Sequence, residues 1–177
     1  MDLDGAPWRV APADAVVRAG LGVGLALDRP AARALARELR KAAALGIATS
    51  ALRHRDLTRR GLEERLVRRG ASPRARAEAL DVLERAGLVD DRRVATARAH
   101  ALAARGYGDA AIRASLDRDG VEPSAAETAV AELEPEGDRA RRLVERRGPG
   151  PRTYRWLAGR GFDPAAVADV AGFADGA

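Results

Sequence analysis

The sequence predicts an all-α protein made of three tandem three-helix repeats in an elongated, curved array, behind a short N-terminal leader that resembles a β-hairpin. The first observation is composition: 46% of the 177 residues are apolar, about half of these are alanine, and aromatic residues make up only 3%. Alanine has the highest intrinsic helix propensity, and its small side chain favours slender helices in close contact. The second observation is an internal repeat whose units contain helix-ending glycines and helix-starting prolines.

The leader differs from everything after it. Apolar residues on both sides of Pro12-Ala13-Asp14 predict a short hairpin, which must lean on the helices because an isolated hairpin is marginal in water. Asp28 followed by Pro30 predicts the start of a long helix that should continue towards Leu52. Gly46 lies inside this helix and costs about 1 kcal/mol relative to alanine, so the helix could bend there.

Residues 87–121 form a central stretch that predicts two helices joined by a tight turn. Asp90 and Asp91 should cap the first helix, because a carboxylate there accepts hydrogen bonds from free backbone N–H groups, an effect of about 1 kcal/mol. Adjacent side chains diverge by about 100° on a helix, so this pair is poorly placed to share a proton or hold a metal ion. We therefore expect both aspartates to be structural.

The turn that follows contains the conspicuous residues of this stretch. Gly106 and Gly108 should break the helix, since glycine alone enters left-handed backbone at no steric cost. Tyr107 lies between them and should pack as an anchor rather than serve as a stacking platform for a base. Asp109 should cap the second helix, which should stop at Gly120.

The internal repeat appears when the sequence is shifted along itself. A shift of 50 residues superposes apolar, glycine and proline positions of two units: Leu62 on Ile112, Leu66 on Leu116, Gly70 on Gly120 and Pro73 on Pro123. A further shift of 41 residues brings in a third unit, in which Gly161 and Pro164 match Gly120 and Pro123. Short helices of this kind bury little alone, so the units should support one another by stacking. The predicted boundaries are a leader at 1–29, repeats at 30–87, 88–134 and 135–173, and a tail at 174–177.

Composition and motifs argue against several classes of function. Cysteine is absent, which excludes disulfides, and the two histidines, His54 and His100, lack metal-ligand spacing. The only lysine is Lys41, so no nucleotide-binding loop ending in Gly-Lys exists. We therefore expect no enzymatic activity, no cofactor and no metal. With no secretory signal at the start and no run near the roughly 18 apolar residues of a membrane span, we expect a cytoplasmic monomer without a membrane partner.

Apart from Lys41, every Lys or Arg position of this chain is arginine, and the net charge is +5. One cluster of arginines lies on the middle helix of the first repeat. Another lies at positions i, i+3 and i+7 of the opening helix of the third repeat. The arginine fork binds phosphate and carboxylate, so these side chains are predicted to contact a partner: Arg59, Arg60, Arg65, Arg68, Arg69, Arg139, Arg142 and Arg146. Alternatively, they balance the acidic segment at 122–138 and keep the protein soluble.

The central residues resemble the signature of the RecX regulatory proteins: Leu88-Val89-Asp90-Asp91, then Arg105-Gly106-Tyr107-Gly108, followed by Ile112-Arg113 and Leu116. The segment TRRGLEERLVRRG at 58–70 is similar to the family's first-repeat pattern, and the resemblance covers about residues 30–172. It implies three tandem three-helix repeats. It adds Arg105 and Arg113, within the signature, to the contact candidates. Departures are Leu57 and Pro149, which replace Tyr107 in the other two units.

The resemblance also implies a function. RecX proteins bind the RecA recombinase filament on single-stranded DNA, lie in its helical groove, and inhibit strand exchange, ATP hydrolysis and filament extension. The leading hypothesis is therefore a non-enzymatic regulator of recombination and DNA repair with the RecA filament as its partner. The alternative is a helical protein that binds DNA directly through its arginine clusters, although no Asn/Gln-rich face for reading bases accompanies them. Weak direct binding to DNA is also expected beside binding to the RecA filament.

Overall fold

The computed structural model of the protein describes residues 1–171, and it confirms the all-α prediction. Within these residues a small antiparallel sheet precedes ten helices. The strands are β1 (Asp2–Leu3) and β2 (Ala6–Pro7), and the helices are α1 (Ala13–Arg18), α2 (Arg29–Leu52), α3 (Arg59–Arg68), α4 (Pro73–Arg85), α5 (Asp91–Ala104), α6 (Asp109–Arg118), α7 (Pro123–Ala131), α8 (Glu136–Arg147), α9 (Pro151–Ala158) and α10 (Pro164–Ala171).

The leader contains a hairpin, but not where the sequence predicted it. The two strands pair Asp2 with Pro7 and Leu3 with Ala6, around a turn in which Asp4 and Gly5 have φ of 51° and 81°. The predicted second strand is instead helix α1. Pro12 sets up the start of this helix, its Ala15 is fully buried, and Asp14 pairs with Arg18 one turn later. A helical i, i+4 ion pair and a buried alanine against α2 therefore outweighed the local β-propensity of the valines.

Helix α2 confirms the predicted long helix. Its N-cap is Asp28, whose side chain accepts a hydrogen bond from the N–H of Ala31 at 2.8 Å, and Pro30 occupies the first turn. The helix is 24 residues long and continues through Gly46. Asp90 likewise caps α5, as predicted, accepting from the N–H of Arg93 at 3.0 Å, while Asp91 lies in the first turn.

Each of three successive helix triplets has its own apolar core. The first core lies among α2, α3 and α4, the second among α5, α6 and α7, and the third among α8, α9 and α10. In every triplet the first and third helices pack most extensively against each other. The largest fully buried side chains are Leu35, Leu62, Leu66, Leu80, Leu83, Ile112, Leu116 and Leu157.

The chain folds as two compact units, Met1–Val89 and Asp90–Ala177. The first unit holds the leader and the first helix triplet, and the second holds the other two triplets. The repeat boundaries proposed from the sequence stay a prediction, and the tail at 174–177 lies outside the described residues.

The turn between α5 and α6 departs from the prediction at two positions. Gly106 is left-handed, with φ of 76°, as expected for a residue that ends a helix. Gly108, however, has φ of −81° and is the N-cap of α6, without any side chain to cap it. Asp109 is therefore the first residue of the helix and not its cap. Backbone conformation does not explain why residue 108 is a glycine, whereas the space around it does.

Candidate functional site

The arginines predicted to contact a partner divide into two groups of five. Those in the first group form ion pairs inside the protein: Arg59 with Asp81 and Glu84, Arg60 with Glu64, Arg113 with Glu127, Arg139 with Asp109, and Arg142 with Glu134. Those in the second group have no ion pair among residues 1–171: Arg65, Arg68, Arg69, Arg105 and Arg146. A charge already matched by a neighbouring carboxylate offers little to a partner, so the second group is the better contact surface.

Three of the paired arginines show the effect of their partners on proton affinity. A hydrogen bond from each guanidinium to a glutamate raises the pKa of Arg59, Arg113 and Arg142, through Glu84, Glu127 and Glu134 respectively. These pairs lie at the surface, where such an interaction contributes little stability. Their consequence is local neutralisation of charge.

Arg139 is held inside the second unit and is only 6% exposed. Its Nη1 donates to the carbonyl of Tyr107 at 3.0 Å, its Nε donates to the carbonyl of Glu134 at 2.9 Å, and its Nη2 pairs with Asp109. A guanidinium with these partners has no free donor face to offer a partner. We therefore leave Arg139 out of the proposed contact surface, although it shares a helix stripe with the exposed Arg142 and Arg146.

The unpaired arginines of the first unit line a groove of about 700 Å³ between α2 and α3, which we call the basic groove. Helix α3 contributes Arg65 and Arg68, and its C-cap is Arg69. Helix α2 and the residues just after it contribute a floor of mostly small side chains. The lining residues are Ala43, Gly46, Ile47, Ser50, Ala51, His54, Arg65, Arg68 and Arg69.

The register of α3 explains why these arginines stay unpaired. Leu62 and Leu66 are fully buried and fix which side of the helix faces the core. Arg59 lies on the flank towards α4, where it meets Asp81 at 3.0 Å. Arg65 and Arg69, one turn apart, lie on the other flank, towards α2. The only acidic residue of α2, Glu38, does not line the groove, and neither Arg65 nor Arg69 forms an ion pair among residues 1–171.

A second arginine surface lies in the second unit, where three arginines stack on two aromatic rings; we call it the arginine–aromatic ladder. The guanidinium of Arg160 lies 4.7 Å from the ring centre of Tyr107 and 4.5 Å from that of Trp156. Arg105 stacks on Tyr107 at 5.6 Å, and Arg147 stacks on Trp156 at 4.0 Å. Each such contact contributes about 0.5–1 kcal/mol at an exposed site. Tyr107 and Trp156 are half-buried and belong to the apolar clusters, so both pack structurally.

Sequence reasoning missed Arg147, Trp156 and Arg160 as a group. One signal was available: Arg147 precedes the Gly-Pro-Gly turn of the third repeat as Arg105 precedes Gly106-Tyr107-Gly108. Nothing local connects Arg160 to Tyr107, however, because the two meet only when α9 packs beside the α5–α6 turn. The Nη1 of Arg160 also donates to the carbonyl of Arg105, at 2.7 Å.

The ladder is positioned by a joint between the start of α6 and the start of α10. The N–H of Gly108 donates to the carbonyl of Arg160 at 2.9 Å, and a Cβ at residue 108 would collide with the backbone of Gly161 and Phe162. Glu136 bridges the two helix starts, since one of its carboxylate oxygens accepts from the N–H of Asp109 at 2.6 Å and the other from that of Asp163 at 3.1 Å. Gly108 is thus required by close approach of two backbones.

The part of the chain that the structure describes holds no group of three His, Asp or Glu side chains arranged for a metal ion. No helix there combines the length and apolar character needed to cross a membrane.

Comparison with solved structures places this fold beside known ones. A structure described as the crystal structure of regulatory protein RecX matches with a TM-score of 0.81, covering 95% of this chain and 91% of that chain at 20% identity. RecX from Lactobacillus salivarius matches with a TM-score of 0.66, covering 77% of this chain and 97% of that one at 17% identity. At these identities the likeness shows a shared fold.

Sequence comparison identifies the family. No family model matches the chain. The regulatory protein RecX of Xanthomonas oryzae pv. oryzae is 37% identical over 119 residues, which cover 62% of this chain and 74% of the relative. The same protein of Xanthomonas axonopodis pv. citri is 36% identical over the same length. With the helical fold, the Gly-Tyr-Gly turn and these relatives together, the chain belongs to the RecX family of regulatory proteins.

Proposed function

We propose that this protein binds the RecA filament on single-stranded DNA, in its helical groove, and inhibits strand exchange, ATP hydrolysis and filament extension. It acts by binding and performs no catalysis. Membership of the RecX family carries this proposal, since the relatives are named as regulatory proteins. The effect in the cell would be to modulate recombination and DNA repair.

The contact surface we assign consists of the unpaired arginines. Arg65, Arg68 and Arg69 lie in the basic groove of the first unit, whereas Arg105 and Arg146 lie in the second unit. Accessible arginines without a carboxylate partner in the protein bind carboxylates and phosphates in a forked geometry, and both groups are abundant on a nucleoprotein filament. Having one set in each compact unit allows each unit to contribute to binding.

The test is ATP hydrolysis by RecA on single-stranded DNA, titrated with this protein. We expect the rate to fall as the protein is added, at less than one molecule per RecA protomer if filament extension is what is blocked. A rate that stays unchanged up to one molecule per protomer would contradict the proposal. Hydrolysis measured in the absence of RecA tests the second part, and we expect none from this protein.

Matched variants separate the contact surface from general charge. Arg105→Ala with Arg146→Ala removes two unpaired charges from the second unit, and we expect weaker inhibition. Arg113→Ala with Arg142→Ala removes two arginines that already pair with Glu127 and Glu134, and we expect inhibition close to that of the parent. Equal loss in both variants would mean that net charge, and not the unpaired set, governs binding.

The alternative predicted from the sequence is a protein whose only partner is DNA. The observation that favours it is the basic groove, whose lining contains no acidic residue. The two functions differ in their dependence on RecA: the regulator binds the filament far more tightly than bare DNA, and a DNA-binding protein does not.

A further inference from the structure

We infer that the basic groove binds the phosphodiester backbone of a nucleic-acid strand directly and without regard to base sequence. This inference deepens the proposed function. It rests on that function only in one respect: the strand is taken to be the DNA that the filament carries. It assigns a specific ligand chemistry to one surface of the first unit. It is tested with DNA alone, so that it can fail or succeed independently of RecA.

The first step is charge. The groove is lined by Arg65, Arg68 and Arg69 with His54 just after α2, and no aspartate or glutamate is among the lining residues. Between residues 39 and 55 the chain contains basic side chains and no acidic one. On the other flank of α3, Glu63 approaches Arg76 and Asp81 approaches Arg59. The second carboxylate of α3, Glu64, pairs with Arg60 outside the groove. The protein thus neutralises one side of α3 and leaves the other side cationic.

The second step concerns Gly46, which lies on the groove floor in the interior of a long helix. Glycine there destabilises a helix by about 1 kcal/mol relative to alanine, so it needs a reason. Packing supplies none, because a Cβ at this position would meet nothing within 4 Å. The fold therefore does not require glycine at this position, but the absence of a side chain keeps the groove floor open. Glycine is also the residue that permits close approach of a ligand to the backbone.

The third step is the choice between a nucleic acid and an acidic protein surface. Protein interfaces are anchored by large side chains that fill well-packed pockets. The floor here offers none of that kind, since Ile47 is the only large apolar residue of the lining and no Phe, Tyr or Trp is part of it. Forked cations over a shallow floor of small residues suit a chain of phosphates. No asparagine or glutamine lines the groove, so it lacks the side chains that most often read bases.

The experiment measures binding of a fluorescently labelled oligonucleotide to the full chain over a range of salt concentrations, without RecA. Three arginines that neutralise three phosphates of a single strand predict a slope of about −2 in a plot of log affinity against log salt. Combining Arg65→Ala, Arg68→Ala and Arg69→Ala should weaken binding about tenfold or more at low salt and abolish most of that slope. Oligonucleotides of different sequence should bind alike. A duplex of the same length shows which form of the backbone the groove prefers.

A matched control removes the same charge from the same unit. Arg60, Arg74 and Arg85 are exposed and lie outside the groove, where the first two pair with Glu64 and Glu78 and the third donates to the carbonyl of Asp81. Their combined replacement by alanine should leave the salt slope within about one unit of the parent. If both triple variants lose binding equally, the groove is not the site.

Gly46 provides a second test that does not alter charge. Gly46→Leu should fill the floor and weaken oligonucleotide binding severalfold, while Gly46→Ala should raise the melting temperature and weaken binding less. Circular dichroism identifies any variant that fails to fold. Unchanged binding in Gly46→Leu would show that Gly46 does not keep the groove floor open for the ligand.

Two outcomes separate this inference from the proposed function. If the parent protein does not bind oligonucleotides but the groove variant loses RecA filament binding, the groove contacts acidic protein surface, and the inference is wrong while the proposed function stands. If the parent protein binds oligonucleotides through the groove but does not affect RecA, the inference stands and the proposed function is wrong.

Discussion

Thr58 and Gly108 superpose under the shift of 50 residues, yet the helices that follow them begin in different ways. In the first unit the hydroxyl of Thr58 caps its own helix, α3, by accepting from the N–H of Gly61 at 3.0 Å. In the second unit Gly108 has no side chain, and the N–H of Asp109 is bound by Glu136, which lies 27 residues further along the chain. The same turn is therefore completed locally in one unit and by a distant helix in the other.

The difference shows what a glycine at a helix start can signify. A capping side chain at residue 108 would collide with the backbone of Gly161, so the joint with α10 excludes the local solution and must supply another. Glu136 does so for both helix starts, and the buried Arg139 binds the carbonyl of Tyr107 beside them. A turn that another part of the chain completes depends on that part for its stability, whereas the turn at Thr58 depends on its own residues.

Among the variants that test this comparison, Arg139→Ala should lower the free energy of unfolding most. Arg139→Ala leaves the carboxylate of Asp109 and two backbone carbonyls without their partner, and breaking a buried ion pair in this way costs about 3–5 kcal/mol. Chemical denaturation of the full chain measures the loss. Arg142→Ala, three residues away and exposed, should change the free energy of unfolding by less than about 1 kcal/mol. An Arg139 variant that keeps its stability but loses partner binding would return Arg139 to the contact surface.

Most of the fold could be predicted from the sequence because its determinants are local. Asp28 and Asp90 cap helices that begin beside them, and alanine content and leucine spacing indicate the helices themselves. The hairpin was misplaced because Asp4-Gly5 lies between strands of only two residues each, too short to show an alternating pattern. The failures at Gly108 and Asp109 have another cause, since their partners lie 27 or more residues away and no local pattern connects them.

Less of the candidate site could be predicted. The sequence shows that arginines are clustered, but not which of them meet a carboxylate in the folded chain. Arg65 and Arg59 lie on the same helix, and only the packing of α3 between α2 and α4 decides that one is unpaired and the other is not. Similarly, helical periodicity placed Arg139 and Arg142 on one stripe, although Arg139 is buried and Arg142 is exposed.

Gly108→Ala should cause the next largest loss of stability. The added Cβ forces the backbones of α6 and α10 apart, and such overpacking costs about 1–3 kcal/mol and occasionally more. Gly137→Ala is the matched control, because a Cβ there would meet nothing within 4 Å. We expect the control to be neutral or slightly stabilising in thermal melting. Equal stability of the two variants would mean that the joint yields easily and that close approach does not require Gly108.

Thr58→Ala should have the smallest effect, because it removes one local cap and leaves the rest of its unit in place. Loss of an N-cap hydroxyl costs about 1 kcal/mol, which lowers the melting temperature by about 4–8 °C in a domain of 60–100 residues. Thr58→Ser keeps the hydroxyl and should recover most of the loss. Glu136→Ala tests the corresponding cap of α6 and removes an acceptor from two helix starts at once, so its cost should exceed that of Thr58→Ala. A larger loss from Thr58→Ala than from Glu136→Ala would reverse the comparison, since the local cap would then be the one on which the turn depends.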